Sequence, residues 1–119
     1  FSKLDLKSGF YQIPINHSDK SKTAFITPFG LYQFNVLPMG LKNSPPNFQK
    51  VMNDTLETCR SFSLVYLDDI IVFSESFDAH LHHLERVLSC LKMRNLILNP
   101  PKCVLAAHEI DYLGHTISQ

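Results

Sequence analysis

Two adjacent aspartates, Asp68 and Asp69, lie between two apolar runs in the stretch SLVYLDDIIVFSE, residues 63–75. Both runs are rich in β-branched and aromatic residues, so the pattern predicts a hairpin with the two carboxylates at or beside its turn. Carboxylates a few ångströms apart repel each other, and burying an unpaired charge costs free energy. A chain that keeps such a pair usually neutralises it with cations or shared protons, so the doublet marks a candidate site.

A third aspartate, Asp5, ends the apolar segment FSKLD, as Asp68 ends LVYL. If these two strands are neighbours in one sheet, the three carboxylates converge at one edge of it. An all-oxygen site of this kind suits hard cations such as Mg²⁺ better than zinc. Two such ions, about 3.5 to 4 Å apart, form the clamp that is used for in-line phosphoryl transfer. The alternative is an exposed turn with solvated aspartates, and the doublet alone does not decide between the two.

The surrounding segments predict the strands and helices that position these aspartates. FSKLDL indicates the end of a strand, SGFYQIPI a turn or short helix, and TAFITPFGLYQFNVLP a hairpin that turns at residues 28–30. Pro45 suits the first turn of a helix, and the apolar spacing predicts a helix over residues 45–59. Its apolar face would consist of Phe48, Val51, Met52, Leu56 and Cys59.

A second helix is predicted after Ser74 and Ser76, either of which can cap it, with Asn95 as the expected stop. Its apolar residues at helical spacing are Phe77, Leu81, Leu84, Val87, Leu88 and Leu91. LILN, CVLA and DYLGHTIS predict short strands, separated by Pro100, Pro101 and a polar bend. This order of elements predicts an α+β fold in which helices cover one face of an antiparallel sheet.

The composition limits the classes of protein to which the chain can belong. Its 119 residues suit one domain or part of one, and 45% apolar residues indicate a globular protein. Eleven basic residues balance eleven acidic ones, so phosphate binding must come from local patches or from protein outside these residues. No apolar run approaches the roughly 18 residues of a membrane span. We expect a soluble, intracellular piece of a longer protein, without a membrane partner.

Cysteine and histidine are present but show no metal-binding spacing. The cysteines are Cys59, Cys90 and Cys103, and the histidines of interest are His80, His82, His83 and His108. An odd number of widely spaced cysteines favours free thiols in a reducing compartment. No paired spacing of the C-x-x-C or H-x-x-x-H kind is found among them. We therefore expect solvated histidines and buried thiols rather than zinc ligands.

Five blocks of sequence follow one another in the order found in a known family. They are LDLKSGFYQIPI, LPMGLKNSPPNFQKVMN, YLDD, LNPPKC and YLGHTIS. Together they resemble the successive palm motifs of reverse transcriptases, most closely those of gypsy-type long-terminal-repeat retrotransposons. The resemblance extends from Phe1 to about Ser118, and blocks in this order are far more specific than any one of them.

The resemblance implies a single partial reverse transcriptase domain over residues 1–119, namely a polymerase palm with part of the fingers. It implies an RNA-directed DNA polymerase that extends a primer with deoxynucleoside triphosphates (dNTPs) on an RNA or DNA template. Two Mg²⁺ ions, for which Mn²⁺ can substitute, would serve as cofactors. The further partner implied is the remainder of a Pol polyprotein, in a cytoplasmic virus-like particle or in the nucleus.

The resemblance also implies roles for individual residues. Asp5 and Asp68 would bridge the metal ions, with Asp69 as the supporting third carboxylate. Phe10 stands where the family places an aromatic steric gate beneath the sugar of the incoming nucleotide, and its alternative role is that of an ordinary core aromatic. Tyr11, beside it, is expected to pack in the core or against the sheet.

Further residues of the blocks would contact nucleotide or primer. Gly40 would let the backbone approach nucleotide and template closely, whereas Met39 replaces the Gln or Phe of many relatives and offers no amide hydrogen bond. Lys102 falls near the position of a lysine that can protonate the departing pyrophosphate, although a solvated surface lysine would look the same. Leu113 and Gly114 would form the primer-grip hairpin, or else plain strand structure.

Two other functions are compatible with the residues. A catalytically silent, transposon-derived remnant, kept as a binding module, would have the same fold, although three intact aspartates argue against decay of the site. A small metal-binding or nucleotidyl-cyclase-like domain also carries paired carboxylates on a similar sheet. That domain gives no reason for the glycine, Phe10 and YLGH blocks, so it ranks last.

Overall fold

The computed structural model of the chain describes residues 1–118. The strands are β1 Ser2–Asp5, β2 Phe25–Thr27, β3 Gly30–Tyr32, β4 Ser63–Tyr66, β5 Asp69–Val72, β6 Glu109–Tyr112 and β7 His115–Ser118. The α-helices are α1 Ser44–Thr55 and α2 Phe77–Met93. Short 3-10 segments cover Gly9–Gln12, His17–Thr23, Glu57–Cys59 and Pro100–Lys102. Within these residues no helix is both long and apolar enough to cross a membrane.

The central sheet is antiparallel and has the strand order β1-β5-β4. Lys3 lies opposite Ile71, and Asp69 lies opposite both Asp5 and Tyr66. Because cross-strand partners share a face and successive residues alternate, Lys3, Asp5, Ile71, Asp69 and Tyr66 all lie on one face. The opposite face carries Leu4, Val65, Ile70 and Val72.

The core lies between that apolar face and the two helices. α1 lies against β4 and α2 against β5. The sheet contributes Leu4, Ile70 and Val72 to the core, and the helices contribute Phe48, Met52, Val87 and Leu91, all at most 2% exposed. The predicted α+β fold with helices on one face of an antiparallel sheet is therefore confirmed.

The first predicted helix is confirmed, but it ends earlier than residue 59. α1 ends at Thr55, and Leu56, with φ −105° and ψ 20°, leads into the 3-10 segment Glu57–Cys59. This tighter turn is closed by the Cys59 N–H, which donates to the Leu56 carbonyl at 3.0 Å, and it still buries Cys59 in the core. Val51 is only half-buried.

The second helix begins and ends close to the prediction, but its buried face differs. Ser76 caps α2 by accepting the Ala79 N–H, and Asn95 has φ 57°, just beyond the end of the helix. The predicted apolar face is wrong for Phe77, Leu81 and Leu88, which are 64%, 50% and 44% exposed. The face that packs on the sheet instead contains His80, Val87 and Leu91.

His80 is therefore a correction to the expectation of solvated histidines. Its side chain is 4% exposed and lies between two serine hydroxyls, with Nε2 2.6 Å from Ser2 Oγ and Nδ1 2.9 Å from Ser74 Oγ. A buried imidazole that is hydrogen-bonded at both nitrogens carries no unpaired polar group into the core. Among the thiols, Cys59 is buried while Cys90 and Cys103 are half-buried.

Two of the predicted strands are only isolated bridges. LILN contributes the bridge between Leu98 and Leu6, and CVLA the bridge between Val104 and Lys3. Between them, the 3-10 segment Pro100–Lys102 begins with two prolines, which have no N–H to donate to a ladder. The predicted hairpins β2–β3 and β6–β7 form separate two-stranded sheets.

Candidate active site

The sheet brings Asp5, Asp68 and Asp69 to one edge. Asp5 is the last residue of β1 and pairs directly with Asp69, the first residue of β5. Asp68 is the second residue of the two-residue turn between Tyr66 and Asp69. The Leu6 N–H donates to the Asp68 carbonyl at 3.2 Å, which ties this turn to the end of β1. All three aspartates are half-buried.

The strand next to β1 differs from the one expected. LVYL, which is β4, does not lie beside β1, because β5 lies between them. Asp69 rather than Asp68 therefore faces Asp5 across the ladder, and Asp68 reaches the same edge through the turn. The pairing of β4 with β5 is local, because the two strands form one hairpin. Which of them pairs with β1, far away in the sequence, depends on the packing of the whole sheet.

The protein neutralises the three carboxylates only in part. Burial raises the pKa of Asp69 above its usual value, Lys3 opposes this rise, and the negative charges of Asp68 and Asp5 add to it. Within residues 1–118, no side-chain hydrogen bond or ion pair within 4.0 Å reaches the carboxylate oxygens of the three aspartates. The edge of the sheet is therefore a place where a cation relieves repulsion.

The chemistry of these donors fits a hard divalent cation, but the protein does not enclose one. Within the described part of the chain, no three His, Cys, Asp or Glu side chains are arranged as a ready-made metal site. Mg²⁺ usually keeps several waters and takes one or two carboxylates together with substrate phosphates, rather than a complete protein cage. Asp5, Asp68 and Asp69 would supply the protein's share of such a coordination shell.

Gly9 is a site residue that sequence reasoning missed. A Cβ at this position would lie 2.9 Å from Phe48 Cζ and 3.1 Å from Asp68 Cβ, so the 3-10 segment Gly9–Gln12 passes closely between helix α1 and the aspartate turn. A side chain at this position would force Phe48 or the aspartate turn to shift. The only sequence signal was a lone glycine in KSGF, four residues after Asp5.

Phe10 is fixed by contact with the core. Its ring stacks on Phe48 with centroids 4.8 Å apart and an angle of 22° between the ring planes, and it is half-buried. It follows Gly9 directly, so it lies near the turn that carries Asp68. Tyr11, which was expected to pack, is 44% exposed, which corrects that expectation. The 3-10 geometry turns the two neighbouring side chains in different directions.

Met39, Gly40 and Lys102 lie on exposed segments. Met39 is 65% exposed, and Gly40 has φ +87° in open surroundings, where a Cβ would meet no atom within 4 Å, so conformation rather than crowding requires glycine there. Lys102 is exposed at the end of Pro100–Lys102, a segment that is held near Asp5 because the Asn99 N–H donates to the Asp5 carbonyl at 2.8 Å. Among residues 1–118, no ion pair joins Lys102 to the three carboxylates.

Leu113 and Gly114 form the tight turn of a hairpin, as the motif predicted. Both have positive φ, 51° and 79°, and Tyr112 pairs with His115 across them, which is the pattern of a type I′ turn. The hairpin lies near the carboxylate edge: burial raises the pKa of Tyr112, and the charge of Asp69 raises it further. Lys3 Nζ also donates to the Asp111 carbonyl at 3.3 Å.

The three aspartates are half-buried, so each remains partly accessible to solvent. A cleft of about 560 Å³ lies elsewhere, between the segment of residues 13–23 and helix α1. Its lining includes Ser44, whose Oγ is buried and has no hydrogen-bond partner among the described residues.

Residues 1–117 match the family model described as reverse transcriptase (RNA-dependent DNA polymerase). The chain belongs to the reverse transcriptase family. The Pol polyprotein of the Drosophila melanogaster transposon opus is 44% identical over 119 residues, covering 99% of this chain. Polyprotein P3 of Commelina yellow mottle virus is 42% identical over 117 residues, covering 98% of the chain. Viral and transposon proteins thus both resemble this chain, and gypsy-type elements are not singled out.

Solved reverse transcriptases have the same fold. A foamy viral protease-reverse transcriptase in complex with double-stranded DNA matches with a TM-score of 0.92 and 33% identity, covering 99% of this chain and 22% of that one. The foamy viral enzyme in complex with an RNA/DNA hybrid matches with a TM-score of 0.89 and 33% identity, covering 99% and 16%. The chain spans 12% of the Drosophila polyprotein and 6% of the Commelina virus polyprotein.

Proposed function

We propose that this chain is the palm and part of the fingers of an RNA-directed DNA polymerase. It would add dNTPs to the 3′-hydroxyl of a primer on an RNA or DNA template. The observation that carries the proposal is the direct pairing of Asp5 with Asp69, with Asp68 in the adjoining turn. Three half-buried carboxylates that lie close together and have no ion pair within 4.0 Å in the described part of the chain are suited to two-metal nucleotidyl transfer.

Asp5 and Asp68 would hold two Mg²⁺ ions, or Mn²⁺ in their place, and Asp69 would support them. When bound, such ions activate the attacking hydroxyl and stabilise the charge of the leaving pyrophosphate. The protein contributes the spacing: the β1–β5 ladder fixes Asp5 relative to Asp69, and the turn fixes Asp68 beside them. Because burial and the charges of Asp68 and Asp5 raise the pKa of Asp69, a cation nearby would favour its charged form.

Phe10 would exclude ribonucleotides. Its ring is held against Phe48, so it cannot swing aside without losing a stacked contact in the core. A fixed ring below the sugar rejects a 2′-hydroxyl by steric clash and needs no favourable contact with deoxyribose. Met39 and Gly40 would lie along the nucleotide, and Lys102 would protonate the pyrophosphate as it leaves.

The primer would lie along the β6–β7 hairpin. Leu113 and Gly114 form its tip, and Leu113 is 54% exposed, so the tip is free to press against a nucleic-acid backbone. The similar foamy viral enzymes were solved with double-stranded DNA and with an RNA/DNA hybrid, which supports a template–primer duplex as the partner here. The neutral net charge implies that much of the phosphate grip comes from other parts of a polyprotein.

The biological setting that we propose is the replication of a gypsy-type retrotransposon. The similarity to a transposon Pol polyprotein supports this setting. The chain would then act within a Pol polyprotein, in a cytoplasmic virus-like particle or in the nucleus.

The test is primer extension by the full-length parent protein, defined as the longest natural chain that contains these residues. Extension that requires dNTPs and Mg²⁺, and that stops on addition of a chelator, is the expected result. Template–primer binding without any extension, in Mg²⁺ or in Mn²⁺, would instead identify a catalytically silent binding module. Absence of both would reject the proposed function altogether.

A further inference from the structure

The side chain of Gln49, on helix α1, reaches across to the hairpin that carries the aspartates. Its Oε1 accepts the Leu67 N–H at 2.6 Å, and its Nε2 donates to the Val65 carbonyl at 3.0 Å. The same Nε2 lies 3.0 Å from Asn53 Oδ1 on the next turn of the helix. One half-buried carboxamide therefore contacts the backbone on both sides of Tyr66.

The backbone of Leu67 depends on this hydrogen bond with Gln49 for two reasons, its conformation and its otherwise unpaired N–H. It is the first residue of the two-residue turn and has φ 52°, a left-handed conformation that branched side chains adopt rarely. Its N–H lies beyond the last ladder pair, Tyr66 with Asp69, so no strand offers it an acceptor. Gln49 supplies that acceptor and stabilises the conformation at the same time.

The direction of the Asp68 carboxylate depends on this turn. Asp68 follows Leu67, and within residues 1–118 its side chain has no hydrogen-bond partner that would hold it. On its other side, Asp68 Cβ lies so near Gly9 that a Cβ there would be only 3.1 Å away. The backbone conformation at Leu67 and the close approach of Gly9 are therefore what fix this carboxylate.

We propose that Gln49 is a positioning residue for the candidate active site: it holds Leu67 in the left-handed conformation and thereby fixes the carboxylate of Asp68 for metal binding. The proposal rests on the proposed polymerase function. In a purely structural role, loss of the Gln49 hydrogen bonds would affect only folding. In the proposed role, the same loss also changes kcat and the dependence of the rate on Mg²⁺.

The test compares variants of the full-length parent protein. Gln49→Met keeps the length of the side chain and removes its hydrogen bonds. We expect kcat for single-nucleotide incorporation to fall about tenfold or more, with KM for the template–primer changed less than about twofold. The Mg²⁺ concentration for half-maximal rate should rise severalfold. Hydrogen exchange at the Leu67 amide should become at least about tenfold faster.

Two further variants separate positioning from a general effect on helix α1. Asn53→Ala removes the contact between Gln49 and its helical neighbour but leaves both contacts to the hairpin, so kcat should stay within about twofold. Leu67→Gly makes the left-handed conformation accessible without assistance. In that background the same Gln49→Met change should cost less than about threefold in kcat.

The outcomes separate this proposal from the polymerase function on which it rests. If the wild-type parent extends primers while Gln49→Met keeps kcat and Leu67 exchange within about twofold, the positioning role is wrong. The positioning role is also wrong if Asn53→Ala lowers kcat as much as Gln49→Met does. It is likewise wrong if Gln49→Met lowers kcat as much in the Leu67→Gly background as in the wild type. If the wild-type parent has no activity, the proposed function fails, and unchanged exchange at Leu67 would overturn the role of Gln49 independently.

Discussion

Asp5 lies directly opposite Asp69 in the antiparallel pairing of β1 with β5, so two carboxylates share one face of the sheet as cross-strand neighbours. Like charges in this position destabilise a sheet, and Asp68 adds a third charge from the turn. Lys3, two residues before Asp5 on the same face, is the positive charge that offsets part of this repulsion at Asp69. The arrangement costs stability unless a cation is present, and clusters of like charge of this kind are common at functional sites.

Removal of the Asp69 charge should stabilise the metal-free protein. The pKa of Asp69 is higher in the folded than in the unfolded protein, so its charge opposes folding above the folded pKa, and the penalty disappears below the unfolded value of 3.8. Asp69→Asn should therefore raise the free energy of unfolding at pH 7, by about 1 kcal/mol or less because solvent screens a half-buried group. Denaturant unfolding in a chelator checks this.

The control for that measurement is Asp54→Asn, on the exposed surface of α1. This control should change the free energy of unfolding little at pH 7 and at about pH 3.5. The gain from Asp69→Asn should be mostly lost at about pH 3.5, where the unfolded carboxyl is largely protonated. A loss of stability at pH 7 would mean that the Asp69 carboxylate is satisfied by the folded protein, contrary to the geometry described above.

Gly9→Ala should disturb both the core and the aspartate turn. The new Cβ would meet Phe48 Cζ at 2.9 Å and Asp68 Cβ at 3.1 Å. Overpacking of this kind costs about 1 to 3 kcal/mol in the free energy of unfolding. Because Asp68 would be displaced, nucleotide incorporation should fall by more than the loss of folded protein explains. Unfolding and incorporation assays on the same preparation measure the two effects.

A second substitution tests whether the contact with Phe48 causes the loss of stability in Gly9→Ala. Phe48→Leu removes the ring atom that the new Cβ would meet most closely. The double variant Gly9→Ala/Phe48→Leu should lose less stability than the sum of the two single changes, since contacting residues are not additive. Strict additivity would show that the clash with Phe48 is not what makes glycine necessary.

Phe10→Val should relax the discrimination between deoxyribonucleotides and ribonucleotides in the full-length parent protein. Selectivity is a ratio of kcat/KM values, so each tenfold loss corresponds to about 1.4 kcal/mol of differential transition-state binding. Because Phe10 also stacks on Phe48, the same change should lower stability by about 1 to 3 kcal/mol. Incorporation kinetics with matched ribo and deoxy substrates separate the effects: equal loss for both substrates would leave Phe10 with a core role only.

His80 lies in a hydrogen-bonded chain that requires a neutral imidazole. Ser2 Oγ accepts the Ala106 N–H at 2.9 Å, so its own proton goes to His80 Nε2 at 2.6 Å. Nδ1 then donates to Ser74 Oγ, whose proton goes to His83 Nδ1 at 2.6 Å. These donors are assigned from the requirement that every buried polar atom has a partner.

Stability should therefore fall at acidic pH through His80. Burial lowers the pKa of His80 below its usual 6.5, and the Phe1 ammonium and His83 lower it further. A lowered histidine pKa means that its contribution is complete above the unfolded value and is lost as the pH falls below it. His80→Asn should lose about 1 to 3 kcal/mol at pH 8 and show a flatter pH dependence between pH 7 and 5. Urea unfolding at several pH values tests this. Parallel curves of unfolding free energy against pH for the wild type and His80→Asn would contradict it.

Much of the site was predictable from local sequence patterns. The apolar runs on either side of Asp68 and Asp69 specify a hairpin, because strand alternation and turn position are properties of adjacent residues. The helix that begins at Ser44 could be predicted from a proline in its first turn and from the spacing of its apolar residues. The ordered motifs then indicated the family, which the comparison with known proteins confirms.

The errors arose where the structure depends on residues far apart in the sequence. The buried face of α2 was assigned from hydropathy alone, but Ser2, 78 positions away from His80, makes the polar residue the buried one. Gln49 gave no signal, because a glutamine in an exposed pattern looks solvated until its contact with the Leu67 backbone is known. Gly9 was missed for the same reason: Phe48 and Asp68 approach it only in the folded chain.

The central claim is that Asp5 and Asp68 hold the catalytic metal ions, and Mg²⁺-dependent single-nucleotide incorporation by Asp5→Asn and Asp68→Asn variants of the full-length parent protein tests it most directly. Each variant should lose about 10³-fold or more in rate while template–primer binding stays within about threefold of wild type. Asp78→Asn, an exposed aspartate in the first turn of α2, is the matched control and should keep the wild-type rate. Incorporation by Asp5→Asn or Asp68→Asn within about tenfold of wild type would contradict the two-metal site.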